Sequence, residues 1–270
     1  QRTLITDTPS CDSFKAGDAD IAINTLQTYQ LNPTDHFRLN TLSRPDGTKY
    51  VEMVLQIALD REKQEERQLI LTAYDGGTPQ KSGSVKINVI VLDANDNSPV
   101  FSKSVYRVTL PENASKGTVV LRVSATDADQ GANGEVTYSF SRSTGSSASS
   151  LFNVDTFSGD ITVNGMLDYE KVKHYEIDVE AADKGGLTDT GKVLIEITDV
   201  NDNAPVISVI SFSNPIPEDS APETVIAMLN IKDLDSGKNG QVKCSISPDL
   251  PFGIKSSSTN FYMEKKRISL

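Results

Sequence analysis

Short segments that alternate apolar and polar residues recur along the whole chain. Val85-Lys86-Ile87-Asn88-Val89, Val105-Tyr106-Arg107-Val108, Tyr175-Glu176-Ile177-Asp178-Val179 and Val193-Leu194-Ile195-Glu196-Ile197 are the clearest, and Glu135-Val136-Thr137-Tyr138 follows the same period. Successive side chains of a strand point to opposite faces, so a period of two predicts strands with one face buried. Gly, Asn, Asp and Ser fill the gaps and supply turns. No segment carries a convincing helical period, and Ser143 to Ser150, small and polar, reads as a loop. About seven short strands in about 105 residues predict a β-sandwich.

That length recurs. Asp18-Ala19-Asp20, Asp127-Ala128-Asp129 and Asp233-Leu234-Asp235 are three copies of one motif, spaced by about 106 to 109 residues. The second and third continue into Asn133-Gly134 and Asn239-Gly240. Leu59-Asp60-Arg61-Glu62 matches Leu167-Asp168-Tyr169-Glu170, and the segment from Ala73 through Asp75 to Gly77 matches that from Ala181 through Asp183 to Gly185. Asp93-Ala94-Asn95-Asp96-Asn97-Ser98-Pro99 matches Asp199-Val200-Asn201-Asp202-Asn203-Ala204-Pro205, and Pro111-Glu112-Asn113 matches Pro217-Glu218-Asp219. A period of this size is a small domain, not a solenoid unit. Prolines end a sheet ladder, so the expected repeats are 1–98, 99–204 and 205–270, abutting with almost no linker.

The net charge of −11 argues against nucleic acid and anionic membranes as partners and makes cations the natural counterpart. Acidic motifs at the ends of repeats bring carboxylates from neighbours together, which costs free energy without a cation. Carboxylates, amide oxygens and backbone carbonyls are the donors Ca²⁺ takes, whereas Mg²⁺ demands a tighter octahedron, and no Cys/His pattern offers a zinc site. Cys11 and Cys244 lie far apart and are expected to be unpaired. No stretch approaches a membrane span and the start lacks a signal-peptide pattern, so the expectation is a soluble piece of a larger protein. His36 and His174 stand apart with no nucleophile beside them, so the reading is not an enzyme and has no small-molecule substrate.

The co-spaced set resembles cadherin ectodomain repeats, in which motifs of these types coordinate three Ca²⁺ per junction. The resemblance runs from Asp18 to about Cys244 and implies tandem Greek-key β-sandwich repeats in an elongated all-β rod. Leu26-Gln27-Thr28-Tyr29-Gln30-Leu31, Asp75-Gly76-Gly77-Thr78-Pro79 and Pro111-Glu112-Asn113-Ala114 are further similar to clustered protocadherins, in their second, third and partial fourth repeats.

Carried over motif by motif, the first complete junction would use Asp60, Glu62, Asn95, Asp96, Asp127, Asp129 and Asp183. The carbonyls of Ala94, Asn97 and Asn133 would join them, and the carboxylates would balance three Ca²⁺. The second would use Glu112, Asp168, Glu170, Asn201, Asp202, Asp233 and Asp235, with carbonyls of Val200, Asn203 and Asn239. Asp18, Asp20 and Asp75 would be an upstream half-site, and Glu218 points downstream. The resemblance implies a calcium-dependent cell–cell adhesion module at the extracellular surface, homophilic, with a membrane-anchored parent. Its partner would be another copy or a related cadherin; the alternative is a calcium-stiffened structural spacer.

Two departures stand out. Counting back from Asp18 by the spacing of Glu112 to Asp127 lands on Thr3, not a glutamate. The third repeat ends after about 65 residues, and Tyr262 to Leu270 resembles none of the family motifs. Asn113-Ala114-Ser115 is a glycosylation acceptor beside Glu112, where a sugar would crowd the site.

Overall fold

The computed structural model describes residues 2–4, 13–14, 26–45, 49–257 and 261–265. The chain divides into two compact units, one formed by residues 1–97 with the loop 128–134, the other by residues 98–127 and 135–270.

The first unit contains β1 (Arg2–Leu4), β2 (Ser13–Phe14), β3 (Leu26–Leu31), β4 (Phe37–Ser43), β5 (Lys49–Leu55), β6 (Glu66–Asp75) and β7 (Ser82–Ile90). They make two sheets, ordered β1-β7-β6-β3 and β2-β5-β4. Phe37 and Val51 from one sheet meet Leu69, Leu71 and Ile87 from the other in one core. β1 runs parallel to β7 with Thr3 opposite Asn88; the other pairings are antiparallel.

In the second unit, β8 (Val100–Phe101), β9 (Val105–Pro111), β10 (Val119–Arg122), β11 (Ala125–Thr126) and β12 (Thr137–Phe140) precede α1 (Ser146–Leu151). After it come β13 (Phe152–Val154), β14 (Asp160–Val163), β15 (His174–Ala182) and β16 (Thr188–Thr198). The sheet β12-β15-β16-β9 faces β10-β14-β13, with β8 and β11 paired beside them. Ile177, Val179, Val193, Ile195 and Ile197 from the first layer and Phe152, Ile161 and Val163 from the second share one core. β15 buries every second residue, as its sequence alternation predicts. Burying one such aliphatic side chain contributes about 1.5–3 kcal/mol, so this two-layer core is the repeat's main stabilising feature.

The expected loop at Ser143 to Ser150 is corrected: it contains the helix α1. Ala148 is buried in the core, while Ser149 and Ser150 donate hydroxyl bonds to the carbonyls of Ser146 and Ser147 at 3.1 and 2.8 Å. The Ala148 methyl, the partly buried Leu151 packed on the same core and local serine back-bonding fix a short helix that no apolar periodicity announces.

The last sheet holds β17 (Val206–Phe212), β18 (Val225–Lys232), β20 (Phe261–Lys265) and β19 (Phe252–Ser256), in that order and antiparallel. β20 lies in the segment that matches no motif, yet it is bonded on both sides. All seven residues of β17 are exposed. No helix among the described residues is long and apolar enough to cross a membrane. Cys244 is a free thiol, as expected; Cys11 lies outside the described residues.

Candidate metal centre

The second unit gathers its acidic motifs around the segment after β16. The parallel ladder of β9 and β16 ends at Pro111 opposite Thr198, and the Glu112 amide donates to the Thr198 carbonyl at 3.2 Å. That sets Glu112 beside Asp199. The Glu112 side chain is buried, and its two carboxylate oxygens accept from the amides of Tyr169 at 2.7 Å and Val200 at 2.8 Å. Such charge-assisted bonds lock the carboxylate in one orientation.

A second brace holds the loop after β18. The Asp199 carboxylate accepts from the Ser236 amide at 3.0 Å and from Asn239 Nδ2 at 2.7 Å. Asn203 Nδ2 donates to Asp202 at 2.8 Å and to Asp235 at 2.7 Å. Asp233 accepts from the Asp235 amide at 3.0 Å. Gly240 closes the loop where no side chain fits: a Cβ there would lie 2.2 Å from the Asp235 carbonyl oxygen.

Carboxylate oxygens of Glu112, Glu170 and Asp199 thereby come within 4.8 Å of one another, as do those of Glu170, Asp202 and Asp235. Glu170 is common to both groups, and its Oε1 is buried without a hydrogen-bond partner. Burial pushes the Glu170 carboxyl up against the pull of a backbone N–H, and Glu112, Asp202 and Asp168 add repulsion. Burial likewise raises Asp202, joined by the charges of Glu112, Asp235, Asp168 and Asp199. An all-oxygen set that resists its own ionisation and leaves an acceptor unsatisfied suits a hard cation, since the cation supplies what both features lack.

The first unit repeats the arrangement. Asp93 accepts from the Gln130 amide at 3.0 Å and from Asn133 Nδ2 at 2.9 Å, while Asn97 Nδ2 donates to Asp129 at 2.7 Å and to Asp96 at 3.0 Å. Gly134 stands 2.2 Å from the Asp129 carbonyl by the same measure as Gly240. Glu62, Asp93 and Asp129 form one carboxylate group. Asn95 Oδ1 is buried without a hydrogen-bond partner, and the Ala94 carbonyl accepts from the Asp96 amide at 2.8 Å. Burial raises Asp93, but bonds from Asn133 and Gln130 and the Arg61 charge outweigh it, so its carboxyl lies below the ordinary range.

Asp60 and Asp168 stand apart from these groups. Each forms an ion pair with the lysine three residues on: Asp60 with Lys63 at 2.7 Å and Asp168 with Lys171 at 2.6 Å, and in each case the lysine's bond is the main cause of a lowered carboxyl pKa. Asp75 and Asp183 are buried at equivalent turns. Asp75 accepts from the amides of Gly77 and Lys81 at 3.3 and 2.7 Å, and Asp183 from those of Gly186 and Leu187 at 2.5 and 2.9 Å. The other Asp183 oxygen is buried and unbonded. Asp127 follows β11, and Asn201 lies between Val200 and Asp202 in the segment after β16. Asp18 and Asp20 lie outside the described residues.

Two residues were missed by motif reading. Asp93 and Asp199, the first acids of the repeated linker, each hold a loop asparagine; the signal was their own repetition within a motif whose other members were assigned roles. Thr3 lies in β1 opposite Asn88, and residues 5–12 lie outside the described residues.

Comparison with known proteins gives a Cadherin domain match over residues 106–198. Human protocadherin gamma-A11 is 51% identical over 247 residues, covering 92% of this chain and 26% of the relative. Human protocadherin gamma-C3 is 48% identical, covering 94% of this chain and 28% of the relative. The chain therefore spans about a quarter of the length of these relatives. Among solved structures, extracellular cadherin domains 1–5 of protocadherin gamma B2 superpose with a TM-score of 0.88 at 41% identity, over 97% of this chain and 50% of that one. Domains 1–4 of protocadherin gamma B7 give 0.84 at 44% identity, over 97% and 64%.

Proposed function

The chain belongs to the cadherin superfamily and is most like the clustered protocadherins, and from that premise we propose that its acidic clusters hold Ca²⁺ as part of a calcium-dependent cell–cell adhesion ectodomain. Calcium binding is general to cadherins, which are adhesion proteins and not enzymes. The observation that carries the proposal here is the buried, unbonded Oε1 of Glu170, a residue common to two carboxylate groups.

In the second unit the ions would be held by Glu112, Glu170, Asn201, Asp202, Asp233 and Asp235, with carbonyls of Val200, Asn203 and Asn239. Asp199 would brace the loop, and Asp168 would join by giving up Lys171. In the first unit Glu62, Asn95, Asp96 and Asp129 would serve, with carbonyls of Ala94, Asn97 and Asn133, while Asp60 would give up Lys63. Asp127 and Asp183, in the second unit, keep the ligand roles that the family resemblance implies. Bound Ca²⁺ neutralises the mutual repulsion of these groups and so fixes the segments that carry them. Extracellular calcium modules bind at roughly 10⁻⁴ to 10⁻³ M, matched to calcium outside cells.

The repeats divide near Pro99 and Pro205, and the chain works at the cell surface, recognising another copy or a related cadherin, with a membrane-anchored parent. Beads coated with this chain should aggregate in millimolar calcium and disperse in chelator. Beads that stay dispersed in calcium while calcium still orders the protein would overturn adhesion by this segment and favour a stiffened spacer.

A further inference from the structure

Within the acidic motif the two clusters differ at one residue: Arg61 in the first unit stands where Tyr169 stands in the second, while Glu112 of the second has no counterpart among the described residues of the first. Arg61 is largely enclosed, with 12% side-chain exposure. Its Nε lies 2.5 Å from Asp93 as an ion pair without hydrogen-bond alignment, and Nη2 both pairs with Glu62 and donates to the Ala128 carbonyl at 2.9 Å. A single guanidinium thus ties the acidic motif, the linker acid and the 128–134 loop of the first unit together. Tyr169 has no charge to offer. Its hydroxyl reaches Ser236 at a marginal 3.5 Å, its ring is covered by Lys173, and the neighbouring Glu170 keeps its unbonded oxygen.

The geometry points to Arg61 as a resident cation that performs part of calcium's task in the first cluster, so that the two clusters differ in their need for Ca²⁺. The inference rests on the calcium reading above. The guanidinium stabilises the metal-free arrangement by offsetting the charges of Glu62 and Asp93 while supplying a bonded cross-link to the loop. It also repels an incoming divalent ion. Both effects weaken calcium binding at the first cluster while making its order less dependent on calcium. The second cluster has no such substitute and loses its order when calcium is removed.

Hydrogen exchange on the full chain, followed by peptide in calcium and in chelator, separates the two. In chelator, segments 93–97 and 128–134 are expected to exchange at least roughly tenfold more slowly than segments 199–203 and 234–240, the size of one lost charge-assisted bond. Arg61→Tyr should abolish that difference, and Arg61→Lys, which keeps the charge, should restore part of it. In calcium titrations Arg61→Gln should lower the midpoint for the first cluster by roughly three- to tenfold, as expected for removing a like charge near a divalent ion, and leave the second unchanged. Equal loss of protection at both clusters in the parent protein, or an Arg61→Tyr variant that exchanges like the parent in chelator, would overturn the assignment. The chelator comparison stands without calcium, so its failure is distinguishable from failure of the calcium reading, which would show as no response to calcium at either cluster.

Discussion

Gly240→Ala isolates the loop that carries Asp235 and Asn239. An alanine Cβ would meet the Asp235 carbonyl oxygen at 2.2 Å, a contact that real Cβ atoms essentially never make, and its carbon at a tight 3.0 Å. Because both atoms are backbone, the turn must open. Opening draws Asn239 and Ser236 away from Asp199, and Asp235 away from Asn203. A hydrogen bond to a charged group is worth about 1.5–3 kcal/mol, and part of the loss returns through water, so a net cost of about 3 kcal/mol is expected. At 1.4 kcal/mol per tenfold, that is roughly a hundredfold in calcium affinity at the second cluster. Titration calorimetry of the full chain reads this directly. Gly237→Ala is the control: its left-handed backbone adds strain, but nothing lies within 4 Å of its Cβ, so a few-fold loss at most is expected. A Gly240→Ala protein that binds calcium within twofold of the parent would refute the view that this loop's closure sets the site.

Further outcomes follow from the same geometry. Glu112→Gln keeps the shape but replaces one acceptor oxygen with a donor facing either the Tyr169 or the Val200 amide; about 2 kcal/mol should be lost in calcium, measured by thermal denaturation. Glu170 has a carboxyl raised by burial and neighbouring charge, so ionising it destabilises the metal-free protein, and that penalty disappears as pH falls through its raised value. In chelator, Glu170→Gln should therefore be more stable than the parent at neutral pH, with the gap closing on acidification; in calcium the order should reverse. Asn113 is exposed while Glu112 turns inward onto backbone amides, so a glycan on Asn113 should leave calcium affinity unchanged when glycosylated protein is compared with Asn113→Gln. A drop in affinity on glycosylation would restore the crowding expected from sequence.

Much of the site was legible because its chemistry is local and repeated. Glu112, Glu170, Asp202 and Asp235 recur at fixed spacing, and spacing is set by whole domains that fold alike. Strands such as β15 and β16 were legible because burial of one face imposes a period of two. What escaped depends on contacts that spacing does not encode. Asp199 and Asp93 brace a loop across the fold, and Arg61 reaches Asp93 only after the chain has folded back. Asp60 and Asp168 carry the ligand motif, but the lysine at i+3 competes for each carboxylate. The helix α1 rests on the buried Ala148 and the partly buried Leu151, too little for any pattern. β20, with Phe261, Tyr262 and Met263, is held by pairing to β18 and β19 and not by a motif.

The most direct measurement is a crystal structure of the calcium-loaded chain, with anomalous scattering to identify the ions. Ca²⁺ is expected about 2.3–2.6 Å from Glu170 Oε1, with Asp202 and Asp235 in the same coordination shells. A structure grown in millimolar calcium whose carboxylates around Glu170 hold no ion would contradict the calcium assignment.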